Sequence, residues 1–475
     1  MIKSLKNGFK WTTFSTVFIS VSAILKLSVL ARFLDQEDFG LMAIVTFFLG
    51  FMDLFMDLGL SSAILHKQSI TKKQYASLYW LNIIFSVLVF SIICIATPLI
   101  SYFYEEPQLN LLLPLTASSV ILSGLGRQFK TVAQKNMRFK FMSIIEIIAS
   151  LTGLIVAVAL ATLKFGVYAL VFGVISQNFT SNILFFIDGI KSEGIKFHFK
   201  FEETKQFLKM GLYQAGGQVI NYFNRDFDIL IIGKVFGTEI LGGYSLAKQL
   251  VRRPLQFLNP IIMRIGLSYF PKISNNSEKL STDFYNLHIL YGIINALIFG
   301  IFVYFNEQII TVFYGSSFLN ISKFLILFSV LMYLRSLGSL VGISVIVSGK
   351  TFIEFYWNLA LLIVIPIVVL IGSSISVEAI LIFTIILQLI LTFPAWRFFY
   401  NKTIKIKLKE YLIAVLVPLA LFFGVYLFSG LLQFENTLIE GLISLGVLIT
   451  LTILYVYIFQ RKFMSFIIKF NDFKY

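Results

Sequence analysis

One cysteine and three histidines in 475 residues leave this chain almost without the soft ligands and nucleophiles of metal and thiol chemistry. Cys94 sits inside an apolar run, so no disulfide framework exists and redox compartment is uninformative. His66, His198 and His288 are far apart and none pairs at metal-ligand spacing, so neither a metal nor a cofactor is expected. Charge is scarce as well. Asp, Glu, Lys and Arg make up 13% of the chain, against about a quarter in soluble domains. Nine prolines are too few for a proline-rich linker, and Pro366, Pro394 and Pro418 fall in or near apolar runs, where they mark helix kinks. The stretch Ser348-Gly349-Lys350-Thr351 has the end of a phosphate-binding loop, but Ser344 replaces its first glycine and no strand precedes it. ATPase chemistry is excluded on that ground.

What the sequence has is apolar surface. Residues of hydrophobic type reach 58%, including 52 phenylalanines, and mean hydropathy is +0.87. Apolar runs of about 20 residues, the length that crosses ~30 Å of hydrocarbon as a helix, recur about fourteen times. The expected fold is therefore an all-α polytopic membrane protein. Lys3, Lys6 and Lys10 precede a run from Trp11 to Ala31 that continues past the cleavage-like Val21-Ser22-Ala23, so a retained first span is expected rather than a signal peptide. The net charge of +15 lies in short loops, which excludes nucleic acid as the partner it would otherwise suggest. Loops with Lys67, Lys72 and Lys73, with Arg127, Lys130, Lys135, Arg138 and Lys140, and with Lys191, Lys196, Lys200 and Lys205 alternate with acidic ones at Asp35–Asp38 and Glu105–Glu106. That alternation, together with Arg461, Lys462, Lys469 and Lys474, predicts cytoplasmic N- and C-termini. Glu146 is expected to snorkel or to pair with Arg138.

Charges inside spans are the exception that carries function, because each costs roughly 2.5–3.5 kcal/mol to insert. Gln214, Gln218, Asn221, Arg225 and Asp228 recur at three- and four-residue steps, one polar stripe on a helix. The next span carries Lys248, Gln249, Arg252, Arg253 and Gln256, with Lys248 and Arg252 on one face. Together they predict a hydrated, net-basic pathway. The alternative is that Arg225 pairs with Asp226 or Asp228 to hold helices together, which leaves the three cations of the next span unexplained. Ser15, Ser22 and Lys26 form a second stripe, and Asp53 and Asp57 lie one turn apart in the second span. That carboxylate pair either exchanges a proton or binds a cation, or is neutralised by a neighbouring helix. Arg335 precedes Gly338 and Gly342, a spacing for close helix approach.

An internal repeat divides the chain. The nonapeptide Arg32–Gly40 aligns with Lys234–Gly242, each a basic residue, two apolar ones, a polar turn with Glu and a glycine opening the next span. The expected organisation is a six-helix lobe over residues 1–190, a cytoplasmic connector over 191–207, a second six-helix lobe over 208–400, and an accessory helix pair with a cytoplasmic tail over 401–475. A pseudo-two-fold relates the lobes, as in transporters whose site lies at a repeat interface. Ile195, Phe197, Phe199 and Phe201 alternate with polar residues, so the connector is expected to be extended, with His198 solvated. The repeat offset also sets Lys26 opposite Asp228 in depth, an expected pair.

Phe33–Leu41, the run Asp57-Leu58-Gly59-Leu60-Ser61-Ser62-Ala63, Gln134–Phe139, Asp228–Gly233 and Leu241–Ala247 together resemble the polysaccharide transporter family. That family includes colanic-acid and teichuronic-acid exporters and O-antigen flippases, within the multidrug/oligosaccharidyl-lipid/polysaccharide superfamily. The resemblance implies two rocking six-helix lobes in a bacterial cytoplasmic membrane. It implies an undecaprenyl-diphosphate-linked oligosaccharide as cargo, with membrane lipid, polysaccharide polymerase and export machinery as partners. A diphosphate calls for Arg and Lys in a low-dielectric cavity. Arg225, Lys248, Arg252 and Arg253 are the first candidates, then Lys26 and Arg335. Asn221, Asn224, Gln214, Gln218 and Gln249 are candidates for sugar hydroxyls. Asp53, Asp57, Asp226 and Asp228 are candidates for charge pairing or for a coupling ion, proton or sodium. The competing functions are a multidrug extruder, whose cationic cargo favours an acidic cavity, a polytopic glycosyltransferase or polymerase, which needs a large outer loop, and a scaffold of the assembly machinery.

Overall fold

The computed structural model describes residues 2–57, 59–67, 69–432 and 437–459. Every regular element among them is helical, because runs of Leu, Ile, Val and Phe in lipid satisfy their backbone polar groups only within a helix. In order these are α1 (Ile2–Leu30), α2 (Gln36–Asp57), α3 (Leu60–His66), α4 (Lys72–Tyr104), α5 (Leu109–Lys135), α6 (Phe139–Thr162), α7 (Val167–Ser192), α8 (Phe201–Ile273), α9 (Ser277–Tyr304) and α10 (Asn306–Phe313). After a short turn of tighter helix come α11 (Ser322–Leu337), α12 (Ser339–Val347), α13 (Phe352–Ser373), α14 (Val377–Ala395), α15 (Lys402–Ile404), α16 (Leu408–Leu432) and α17 (Thr437–Phe459). Twelve stretches among the described residues are long and apolar enough to cross a membrane. They differ from the expected fourteen in that Ala215–Ile273 runs as one 59-residue helical stretch.

At about 1.5 Å per residue, that 59-residue stretch would be roughly 90 Å long, three times the hydrocarbon thickness. Gly237 resolves this. Its φ of 83° and ψ of 173° lie in a region essentially closed to residues with a side chain, and the chain turns back on itself there. The Tyr244 hydroxyl donates to Asp228, sixteen residues away, and Leu241 lies against Gly233. In an unbroken helix those pairs would be about 24 Å and 12 Å apart along the axis.

Packing divides the chain into two units, Met1–Ser245 with Phe313–Gly315, and Leu246–Val312 with Ser316–Tyr475. In the first, α1 packs on α6, α6 on α7, α7 on α5, and α5 on α4. Small residues set those distances: a Cβ on Gly126 would fall 2.5 Å from the Asn182 carbonyl oxygen. The repeat appears here as a contact. A Cβ on Gly40 would overlap the Thr238 carbonyl, and one on Gly242 would overlap the Gln36 carbonyl. The offset relating Gly40 to Gly242 also relates Gln36 to Thr238, so the two copies make one isologous contact, as a two-fold requires.

The connector is shorter than expected, since α7 continues to Ser192 and α8 starts at Phe201. Residues 194–200 are irregular and are fastened to α4. Trp80 Nε1 donates to the Lys196 carbonyl (3.0 Å), the Lys200 amide donates to Ser77 Oγ (3.0 Å), and Ser77 Oγ donates to Glu203 (2.6 Å). His198, expected to be solvated, instead meets Glu203 at 3.1 Å. The Ser77 hydroxyl and then His198 hold the Glu203 carboxyl below its ordinary value of 4.5. A lowered folded value means that the anchoring is complete above about pH 4.5 and is lost as pH falls through the lowered value. Hydrogen exchange at the Lys200 amide is therefore expected to stay slow down to that pH and to accelerate below it. In Ser77→Ala it should be fast throughout.

In the second unit α9 is central. It packs against α11, α16 and α17, with Ile289, Ile293 and Ala414 in the shared core. The Tyr304 and Tyr333 hydroxyls donate to the Phe422 and Val415 carbonyls of α16 (both 2.9 Å), so this helix is locked into the unit. Gly338 does not serve close helix approach as expected. It lies between α11 and α12 and is exposed, while a Cβ at Gly342 would make ordinary contact with Met263. Pro394 lies in the last turn of α14, and after Ala395 the six residues Trp396–Asn401 form a wider π-type turn.

Candidate functional site

In the first unit, the first half of α8 (residues 201–236) carries the polar stripe. Gln218, Asn221 and Arg225 are exposed while Tyr222 and Asp226 are buried, so the stripe is an open face of a membrane-length helix. Gln214 is on the same helix, and its side chain lies outside the described residues. Tyr222 anchors the face. Its hydroxyl donates to the Phe47 carbonyl (2.7 Å), and Gly50 leaves the space for it, since a Cβ there would lie 2.6 Å from that oxygen. Arg225 lies over the Tyr222 ring (5.1 Å) and donates through Nε to Asp226 (2.6 Å). Of the two partners expected for Arg225, this contact goes to Asp226. Asp228 accepts from Tyr244 and from the Ile229 amide (3.0 Å). Asn224 and Lys26 are partly buried in the same unit.

The α2 carboxylates have different surroundings. Asp53 forms an ion pair with Arg127 of α5, and Asp57 accepts from the Ser61 hydroxyl at the start of α3. Arg127 and Lys130 were expected in a loop, but α5 extends to Lys135 and carries both inside the helix. Lys130 pairs with Glu146 (2.8 Å), while Arg138, the expected partner of Glu146, is held in a two-pronged contact with Asp188 (2.7 and 2.9 Å). Asp188 also raises the Arg138 guanidinium above its ordinary value. The signal for Lys130 was available, because a Lys sixteen residues before a Glu fits two antiparallel helices joined at residues 136–138.

In the second unit, α8 from Leu246 to Ile273 carries the basic group. Lys248 is 2% exposed, Arg252 and Arg253 are partly buried, and Gln249 is exposed. Arg253 donates to Gln256 (3.3 Å). Arg335, partly buried, is in the last turn of α11. No group of three or more His, Cys, Asp or Glu able to hold a metal ion occurs among the described residues.

Residues 29–323, more than half of the chain, match the family described as polysaccharide biosynthesis protein. The chain belongs to that family. Two curated relatives agree with the assignment. The lipopolysaccharide biosynthesis protein WzxC of Escherichia coli (strain K12) is 27% identical over 414 residues, covering 87% of this chain and 84% of that protein. The amylovoran biosynthesis protein AmsL of Erwinia amylovora is 31% identical over 372 residues, covering 77% and 95%. Among solved structures, this polysaccharide biosynthesis protein has the fold of the lipid II flippase MurJ in an inward closed conformation, with a TM-score of 0.76 at 18% identity over 96% of this chain and 100% of that one. An inward-facing multidrug transporter of the MATE family superposes less closely, with a TM-score of 0.51 at 16% identity over 91% and 96%.

Proposed function

We propose that the protein is a flippase for undecaprenyl-diphosphate-linked polysaccharide repeat units, moving them across a bacterial cytoplasmic membrane by alternating access of two six-helix lobes, residues 1–190 and 208–400. The observation that carries this reading is the open polar face of α8, where Gln218, Asn221 and Arg225 are exposed on a membrane-length helix. Lipid rejects such a face, and a water-filled pathway accommodates it. In a family of polysaccharide biosynthesis proteins, the cargo that needs both cations and amides is an anionic carrier bearing sugars. Arg225, Lys248, Arg252 and Arg253, then Lys26 and Arg335, would meet the diphosphate, and Asn221, Asn224, Gln214, Gln218 and Gln249 the sugar hydroxyls. Asp53, Asp57, Asp226 and Asp228 would serve coupling to proton or sodium, or charge pairing. The basic character of this set disfavours cationic drugs as cargo. Both termini would be cytoplasmic; the C-terminal cations at 461, 462, 469 and 474 that contribute to this expectation lie outside the described residues. A polysaccharide polymerase and export machinery would take the product.

Leaflet transfer of a fluorescent undecaprenyl-diphosphate oligosaccharide in proteoliposomes tests this, under imposed proton, sodium and potential gradients. Wild type is expected to translocate the lipid unaltered and Arg252→Ala to lose at least about tenfold in rate, a loss of ~1.4 kcal/mol or more. Glycosyl transfer by the purified protein, or no translocation under any gradient, would overturn the reading.

A further inference from the structure

The second unit holds a cavity of about 220 Å³ between α11, α12, α13, α14 and α16, and none of its lining residues is assigned to the pathway above. Two polar pairs, each one helical turn apart, line it: Glu354 and Asn358 on α13, and Gln388 and Thr392 on α14. Trp357, Tyr400 and Tyr411 form aromatic walls. The Glu354 carboxylate is partly buried and has no hydrogen-bond or ion-pair partner among the described residues. Lys350, in the turn before α13, donates to the Lys402 carbonyl (2.9 Å). Among the described residues, no cationic side chain lines the cavity. A partly buried carboxylate in a cavity is costly unless a counter-charge or hydrogen bonds join it.

We propose that this cavity binds a single hydrated alkali cation, with Glu354 supplying the charge and Asn358, Gln388 and Thr392 supplying neutral oxygens. One carboxylate balances one positive charge, and a divalent ion would call for more acidic ligands than the cavity has. Hard oxygen ligands suit an alkali ion. At about 30 Å³ per water, the volume holds an ion with several waters rather than a bare one. The site stands independently of the flippase reading, because it concerns binding and its test requires no transport.

The test is thermal unfolding of the purified full-length protein, with isothermal titration, at fixed pH and ionic strength in sodium, potassium or choline chloride. A cation that binds only the folded state raises the unfolding midpoint as its concentration rises. Sodium or potassium is expected to raise the wild-type midpoint above that in choline. Glu354→Gln should weaken that cation's binding at least about tenfold, and Gln388→Leu several-fold, giving a second readout should the first variant fold poorly. Equal midpoints in the three salts would overturn the proposal. So would a choline shift matching that of the alkali ions, which would mark an aromatic site for organic cations, or an alkali shift that persists unchanged in both variants.

Discussion

Gly40→Ala is expected to destabilise the folded protein by at least about 3 kcal/mol, the upper end of the usual cost of overpacking. The added methyl would overlap the Thr238 carbonyl, and backbone in a helix start cannot swing aside as the end of a flexible side chain can. The two helix starts must separate. Gly242→Ala meets the Gln36 carbonyl in the equivalent position and should cost about as much. The double variant is the stronger test. Once one methyl has forced the helices apart, the second finds the space already made, so the pair should fall short of additivity by about 1–3 kcal/mol. Gly217→Ala is the control: a Cβ there meets nothing within 4 Å, and alanine is favoured over glycine in a helix by up to ~1 kcal/mol. Unfolding midpoints of wild type and the four variants in one detergent decide the matter. A Gly40→Ala protein within about 0.5 kcal/mol of wild type, or strict additivity, would mean that this isologous contact is not what the glycines serve.

The nonapeptide repeat was legible because both copies keep a glycine at the same register position, and that is the residue on which the contact depends. The helices were legible for the reason that lipid leaves the backbone no other partner. Packing units were not. The hydrophilic stretch around residues 191–207 invites a division there, yet the first half of α8 packs with α2 and α4, through Tyr222 on Phe47 and Tyr104 on the Leu230 carbonyl (3.3 Å). Such contacts join residues more than a hundred positions apart and leave no trace in composition.

Charge partners were read less well than charged residues. Asp53 and Arg225 were both visible as costly intramembrane charges, but Arg127 was assigned to a loop because basic residues cluster from 127 to 140, and clusters mark loops more often than helix interiors. The same cluster suggested Arg138 for Glu146, the nearer cation in sequence, whereas antiparallel packing brings Lys130 alongside. Glu354 escaped notice altogether. A lone acid three residues into a helix has the pattern of a solvated helix start, and only the cavity it lines sets it apart.

The double substitution Arg225→Ala/Asp226→Asn separates the two readings of the α8 pair. Asp226 is 6% exposed and holds Arg225 Nε at 2.6 Å, whereas the guanidinium is about half exposed. Truncating Arg225 alone leaves a buried carboxylate without that partner. The cost is about 3 kcal/mol, the low end for a broken buried pair because the arginine is half solvated. Loss of transport in Arg225→Ala would therefore be ambiguous. Replacing Asp226 by asparagine as well removes that buried charge, so the double variant should recover most of that stability. If the exposed part of the guanidinium serves the cargo diphosphate, the double variant folds and still translocates at least about tenfold more slowly than wild type. Asp226→Asn alone, which leaves Arg225 without its carboxylate, should keep more of the rate than either variant lacking the arginine. Full transport by the folded double variant would make the pair a structural clasp, and the pathway's positive charge would then rest on Lys248, Arg252 and Arg253.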